Sequence, residues 1–219
     1  MSPHDFIADI QRHLSTRIRH QYKRQKRAGI LVPFIFEDGQ EPRLLLTRRT
    51  DQLSSHKGEV AFPGGMMDAD DQTIIETALR EAEEEVGLPR ENVTVIGLLD
   101  DLISKNVEVM VTPSIGVITT PPETWTPNPS EVAKVFEIPL SILYQAHRWR
   151  IEKKVWKTKS INIYYFDFEG ETLWGLSAYA TLLALDQTDQ GSPIDLGPYY
   201  HQIDQVRALL KSKKISTIS

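Results

Sequence analysis

Between Phe62 and Leu88 the chain reads FPGGMMDADDQTIIETALREAEEEVGL: a Pro-Gly-Gly turn, a helical pattern, a run of glutamates and a glycine. The end of this stretch constrains the fold most. Glu81, Glu83, Glu84 and Glu85 put four carboxylates into five positions, and Gly87 follows as a helix stop. Like charges packed so densely repel unless water screens them or a metal ion sits between them. At about 100° per residue, Ile75, Leu79, Ala82 and Val86 fall on one stripe, which is expected to face the core. Glu81, Glu84 and Glu85 fall on a neighbouring stripe, within roughly 100° of one another. Glu76 and Glu83 point elsewhere, toward solvent. Arg80 lies one turn before Glu84 and can orient it. Three hard oxygen donors on one edge of a half-buried helix suit Mg²⁺ or Mn²⁺. A solvated acidic face paired to Arg80 is the competing reading.

The surrounding sequence bears on that choice. Arg80-Glu81-Ala82-Glu83-Glu84-Glu85-Val86-Gly87-Leu88 resembles the R-E-U-x-E-E-x-G-U core of the Nudix box, with Ala82 in the apolar class and Gly65 as the upstream glycine. The Gly-to-Arg spacing is one residue longer than in the general box, and Asp70, Asp71 and Gln72 occupy the region of its first glutamate. Nudix hydrolases similar to coenzyme A pyrophosphatases share this longer spacing. They also carry an upstream segment resembling Leu44–Thr50 followed by His56–Gly65. This chain has the Thr-x-Arg, Gly58 and the Phe-Pro-Gly-Gly, with Ser54 where that signature has a basic residue. Leu173–Ala178 resembles the Trp-Gly-x-[Thr/Ser]-Ala segment that opens the last helix of that subfamily. The resemblance spans residues 28–186.

This resemblance implies an α/β (α+β) fold, a Nudix-type α/β/α sandwich with a mixed β-sheet. It implies metal-dependent hydrolysis of the pyrophosphate bond of coenzyme A or a derivative, giving 3′,5′-ADP and 4′-phosphopantetheine. Two alternatives stand beside it. One is a Nudix hydrolase of ADP-ribose, a dinucleotide or a nucleoside triphosphate. The other is a non-catalytic nucleotide sensor, against which the presence of Glu81, Glu84 and Glu85 counts. A diphosphate is strongly anionic and gains charge under attack by water, so divalent cations bridging its oxygens lower the barrier. Glu81, Glu84 and Glu85 are the expected anchors for Mg²⁺ or Mn²⁺, with the Gly64 carbonyl as a further ligand. Arg80 is expected to fix the glutamate rotamers. The resemblance leaves the base open between a motif glutamate, Glu84 first among them, and a loop acid, for which Glu131 in NPSEVAKVFEIPL is the candidate; the competing reading makes Glu131 a helix-start residue beside the site. Glu108 and Glu123 are weaker candidates. Arg49, His56 and Lys57 precede the glycine loop and are candidates for phosphate contact, whereas Arg48 is expected to face solvent. Trp125 and Tyr144 fit packing better than stacking on a base.

Composition sets the outer limits. The 219 residues suit one sizeable domain. No apolar run approaches the roughly 18–20 residues that span a bilayer. Met1–Asp5 lacks the pattern of a secretory leader. With no cysteine, disulfides and thiolate metal sites are excluded. A cytoplasmic location is the expectation. The formal net charge of -5 opposes general nucleic-acid binding but not an anionic small substrate. The expected partner is a small nucleoside diphosphate substrate, with no nucleic acid and no membrane, and with room for a homodimer. Residues 1–27 are expected to hold a helix packed on the domain, running from Asp5 to Arg27 with a solvated basic face. Residues 28–186 form the Nudix domain, and 187–219 a C-terminal extension of it with a basic helix near 202–211. Pro121, Pro122, Pro127 and Pro129 keep 120–130 a loop. Thr73 or Asp71 is placed to cap the glutamate-rich helix.

Overall fold

The β-branched run after Ala28 becomes the spine of the sheet. A computed structural model describes residues 2–21, 26–53, 56–103, 109–156 and 159–198. Strand β1 (Lys26–Ile35) pairs in parallel with β7 (Val109–Ile118) from Lys26 opposite Val109 to Ile35 opposite Ile118. Around this pair lie β2 (Arg43–Arg49), β3 (Val60–Ala61), β4 (Gly64–Met66), β5 (Val93–Leu98), β6 (Leu102–Ile103) and β8 (Val132–Pro139). All the other pairings are antiparallel, which makes the sheet mixed. The order runs β3-β2-β1-β7-β5, with β4 on β1, β6 on β7 and β8 on β2.

Alternation along β1 and β2 assigns the two faces. Val32, Phe34, Phe36, Leu44 and Leu46 belong to one buried cluster, and Leu31, Ile35 and Leu45 to the other. Against the second face packs α2 (Ile74–Val86), through Ala78, Ala82 and Val86. Against the first pack α1 (Pro3–Thr16), through Phe6 and Ile10, and α4 (Gly175–Leu185). After the short α3 (Leu140–Leu143) comes a three-stranded antiparallel sheet of β9 (Trp149–Trp156), β10 (Lys159–Phe168) and β11 (Glu171–Trp174). Its Tyr164, Phe166 and Leu173 join the α4 cluster. Every residue of α4 from Ala178 to Leu185 is buried, as an all-round apolar helix between two layers must be. The α/β/α sandwich with a mixed sheet is the observed fold.

Three local expectations are corrected. The N-terminal helix ends at Thr16 rather than near Arg27. Beyond it, Arg17 and Arg19 do not form a solvated basic face. They pair with the buried Asp100 at 3.2 Å and Asp101 at 2.6 Å, carboxylates that need countercharge. The core stripe of α2 keeps the expected Ala82 and Val86 but takes Ile74 and Ala78 in place of Ile75 and Leu79 in its first half. Ile74, Ala78, Ala82 and Val86 are buried, while Ile75 and Leu79 are only half-buried. The reason lies on β1: a Cβ at Gly29 would meet the Ile74 carbonyl at 2.5 Å, so the helix start lies directly on the strand. Finally, residues 132–139 form a strand, and Glu131 sits in the turn before it rather than at a helix start. The expected helix near 202–211, Ser54 and Glu108 lie outside the described residues.

Candidate active site

Helix α2 is fixed at both ends by its own sequence. Thr73 caps the start, its hydroxyl accepting from the Glu76 N–H at 3.2 Å. Glu76 reaches back to accept from the Gln72 N–H at 2.6 Å, so it is a capping residue and not merely solvated. Gly87 closes the helix in the left-handed region at φ 69°, with its N–H on the Glu83 carbonyl at 3.1 Å. The glutamates between these caps then separate by exposure. The Glu85 side chain is 3% exposed and Glu81 15%, whereas Glu84 is 56% exposed. Glu83 lies on the outer surface and pairs with Arg90 at 3.1 Å.

The two buried glutamates lean on the glycine loop. The Gly64 N–H donates to Glu85 Oε2 at 3.2 Å. A Cβ on Gly65 would lie 2.3 Å from Glu81 Oε1, so only glycine leaves room for that carboxylate. Glu85 Oε1 is buried and accepts no hydrogen bond among the described residues; it forms an ion pair with Arg49 Nη1 at 3.5 Å. Burial pushes the Glu85 carboxyl up to about 7, opposed by the Gly64 N–H and Arg49 and reinforced by the charges of Glu81 and Glu131. Burial also raises Glu81, against the pull of Arg80, with Glu84 and Glu131 adding to the rise. Glu131, in the turn before β8, is tied beside this cluster through its backbone: its carbonyl accepts from the N–H of Thr50, which follows Arg49.

Arg80 is the organiser on the other flank. Its Nε and Nη2 grip the two oxygens of Asp71 at 3.1 and 3.0 Å. Its Nη1 donates to Glu81 Oε1 and Glu84 Oε2, both at 3.0 Å, and Nη2 also to the Met66 carbonyl at 3.1 Å. The bonds it donates to Asp71 are the main reason the guanidinium is driven still higher in pKa, and Arg80 holds the Asp71 carboxyl well below the usual range. Asp71 also accepts from the Thr77 hydroxyl at 2.9 Å and the Asp68 N–H at 2.9 Å. It is thus no cap. It is the anchor of Arg80, and the sequence offered one clue: an acid in the region of the box's first glutamate. We expect Asp71→Asn to lower kcat/KM by about 10–100-fold, as loss of a partner that orients metal-binding groups does. Steady-state kinetics check it.

The other candidates divide. Arg49 joins the cluster through Glu85. His56 does not; its side chain is 70% exposed and its Nδ1 lies 2.8 Å from Glu59. Lys57 is exposed on the same turn. Arg48, expected in solvent, ion-pairs with Glu171 at 3.8 Å. Trp125 packs under α2 and donates to Glu137 at 2.8 Å, and Tyr144 packs on the α4 cluster and shares a 2.7 Å hydrogen bond with Thr188.

Among the described residues, no three His, Cys, Asp or Glu side chains close on one point as a ready metal cage. Glu84 is drawn outward to Arg80 instead of converging with Glu81 and Glu85. The donors nevertheless fit a hard divalent cation. Glu85 offers a buried oxygen without a hydrogen bond, Glu81 lies in a cradle that a Cβ would fill, and all the donors are oxygens.

Comparison with known proteins identifies the family. A family model described as the NUDIX domain matches residues 25–159. A protein of Pectobacterium atrosepticum described as an uncharacterized Nudix hydrolase, NudL, is 42% identical over 177 residues, covering 80% of this chain and 88% of that one. One of the same description from Photorhabdus laumondii is 38% identical over 174 residues, covering 80% and 91%. The crystal structure of a Nudix hydrolase from M. smegmatis, RenU, aligns with a TM-score of 0.44 at 25% identity, over 56% of this chain and 72% of that one. The chain belongs to the Nudix family and is a Nudix pyrophosphohydrolase. Among the described residues no helix is long and apolar enough to cross a membrane.

Proposed function

We propose that the enzyme hydrolyses the pyrophosphate bond of coenzyme A or a close derivative, releasing 3′,5′-ADP and 4′-phosphopantetheine. The observation that carries this reading is the ion pair between Arg49 and Glu85. It joins the upstream segment that resembles coenzyme A pyrophosphatases to the buried carboxylates of the Nudix helix. Glu81, Glu84, Glu85 and the Gly64 carbonyl would hold Mg²⁺ or Mn²⁺, which supplies the positive field that a diphosphate and its developing charge require. Arg80, anchored on Asp71, would keep Glu81 in place, while Glu84 would turn in from Arg80 to join Glu81 and Glu85. Glu131 takes the proton of the attacking water as its oxygen bonds to phosphorus, and the bridging P–O bond breaks with its electrons leaving on the departing phosphate. Arg49 contacts the substrate phosphates from the β2 side, with His56 and Lys57 on the exposed turn beyond it.

Coenzyme A carries a 3′-phosphate that dephospho-coenzyme A and ADP-ribose lack. We expect kcat/KM for coenzyme A to exceed that for dephospho-coenzyme A by about 1.5–3 kcal/mol, the worth of one hydrogen bond to a charged group. The expectation is checked by product analysis over a panel of nucleoside diphosphate derivatives with Mg²⁺ and with Mn²⁺. Equal rates on the two would remove the 3′-phosphate argument. A second reading, hydrolysis of a derivative without that phosphate, draws support from His56, whose ring is engaged by Glu59. Faster turnover of ADP-ribose than of either coenzyme would favour it.

A further inference from the structure

The proline-rich loop before β8 does more than connect strands. Its Thr126 N–H donates to the Val86 carbonyl at 3.1 Å, and its Asn128 N–H to the Glu85 carbonyl at 2.9 Å. Those are carbonyls that a helix leaves unpaired at its C-terminus, here belonging to the helix that carries the buried glutamates. The Asn128 carbonyl then accepts from the N–H groups of Glu131 at 3.0 Å and Val132 at 2.8 Å. Its side-chain Oδ1 accepts from the Ser130 N–H at 3.2 Å and the Ser130 hydroxyl at 2.7 Å. The far side is tied as well. The Glu131 carbonyl accepts from the Thr50 N–H at 2.9 Å, and Thr50 follows Arg49, which pairs with Glu85. The contacts thus close a circuit from Glu85 through Asn128, Glu131, Thr50 and Arg49 back to Glu85.

We propose that Asn128 is a positioning residue: its side chain shapes the turn that aims the Glu131 carboxylate at the buried glutamates of α2. The inference rests on the reading of Glu131 as a group that acts in the reaction. Pro129 presets the second residue of the turn from Asn128 to Glu131, and a residue before proline is held extended, so the backbone is already restricted. What remains free is the twist of the turn itself. An asparagine oxygen bonded two residues ahead fixes that twist. Glu131 follows Ser130 directly, so a change in the turn swings its side chain. The turn touches Glu85 from two sides, through the Asn128 N–H on its carbonyl and through Thr50, which follows the Arg49 that pairs with its carboxylate. Among the described residues the Asn128 side chain bonds only Ser130, so its shortest route to the site runs through Glu131, while the Asn128 N–H to the Glu85 carbonyl offers a second route that the double-mutant cycle separates.

The test is a double-mutant cycle on the full chain with its metal, read as kcat and KM beside thermal melting. Asn128→Ala leaves the backbone groups in place and removes the side-chain amide, with the Oδ1 bonds to Ser130. It is expected to lower kcat by about 10–100-fold, the scale of a misplacement near 1 Å, with KM within about threefold. Asn128→Asp keeps the acceptor and is expected to recover most of the rate. In a Glu131→Gln background, Asn128→Ala should change kcat by less than about twofold, because residues acting as one unit are not additive. An equal fall in both backgrounds would make Asn128 a general support of the loop and overturn the inference. So would an Asn128→Ala rate near that of the parent while Glu131→Gln is strongly impaired. A Glu131→Gln enzyme that keeps the parent rate removes the reading of Glu131 itself, a distinct failure that takes the inference with it.

Discussion

Glu85→Gln is expected to cost the enzyme ~4 kcal/mol of transition-state stabilisation, about a thousandfold in kcat, because it removes a buried charge where divalent cations must sit. The fold should survive. In the metal-free protein the Glu85 carboxyl is 3% exposed with one oxygen lacking a hydrogen bond, and burial raises its pKa to about 7 against the pull of the Gly64 N–H and Arg49, so the site on balance disfavours its charge. Burying such a charge is costly, and an amide of the same shape relieves it. The metal-free variant should therefore melt at or above the parent temperature. Addition of Mg²⁺ should raise the melting temperature of the parent more than that of the variant, since a ligand that binds only the folded state stabilises it. Glu83→Gln is the control. Glu83 sits on the outer surface paired with Arg90, and its variant should keep the parent rate within about twofold, the usual fate of an exposed ion pair. A loss in Glu83→Gln equal to that in Glu85→Gln would mean that the helix presents a different edge to the substrate.

That contrast was partly visible in the sequence. The caps of α2 are local chemistry: Thr73 with Glu76 at one end and Gly87 at the other need only their neighbours, and they bracket the helix as the pattern indicates. Its rotation was less visible. Periodicity favoured the large residues Ile75 and Leu79 as the core stripe. Close approach to Gly29 instead brings Ile74 and the small Ala78 onto the sheet beside Ala82 and Val86, which the pattern had on the stripe already. A glycine on a strand some 45 positions earlier decided the phase, and no window on the helix itself contains it. The same packing sends Glu85 inward and leaves Glu84 on the rim, a division that a helical wheel with three equivalent glutamates does not make.

The same limit applies wherever charge pairs across the fold. Arg17 and Arg19 read as the continuation of a basic helix, yet Asp100 and Asp101 are buried and draw them away from it. Asp71 read as a cap because Asp before a helix usually is one. Arg80, two turns into the helix, competes for it with two strong bonds and wins. A helix-start reading of Glu131 would have put a helix after it. Pairing of β8 along β2, from Arg49 opposite Val132 to Arg43 opposite Pro139, selects the strand. The short β6 and β11 exist only through their partners and have no periodicity of their own.

The placement of Glu131 before a strand changes what its substitution should do. Glu131→Gln is expected to lower kcat by about 10²–10⁴-fold, the contribution of a positioned acid–base group, and to leave KM within a few-fold, because a base acts mainly in the transition state. Stability should hardly move. The structural bonds of Glu131 run through its backbone, the N–H to the Asn128 carbonyl and the carbonyl to the Thr50 N–H, and glutamine keeps both. A helix-start role would have predicted the reverse, a loss of melting temperature with the rate intact. Thermal melting beside steady-state kinetics on this one variant separates a group that acts on the water from one that only shapes the turn. A rate within a few-fold of the parent would return the base to α2. Glu84 would then be the next choice, since its side chain is 56% exposed on the rim and Arg80 already holds one of its oxygens.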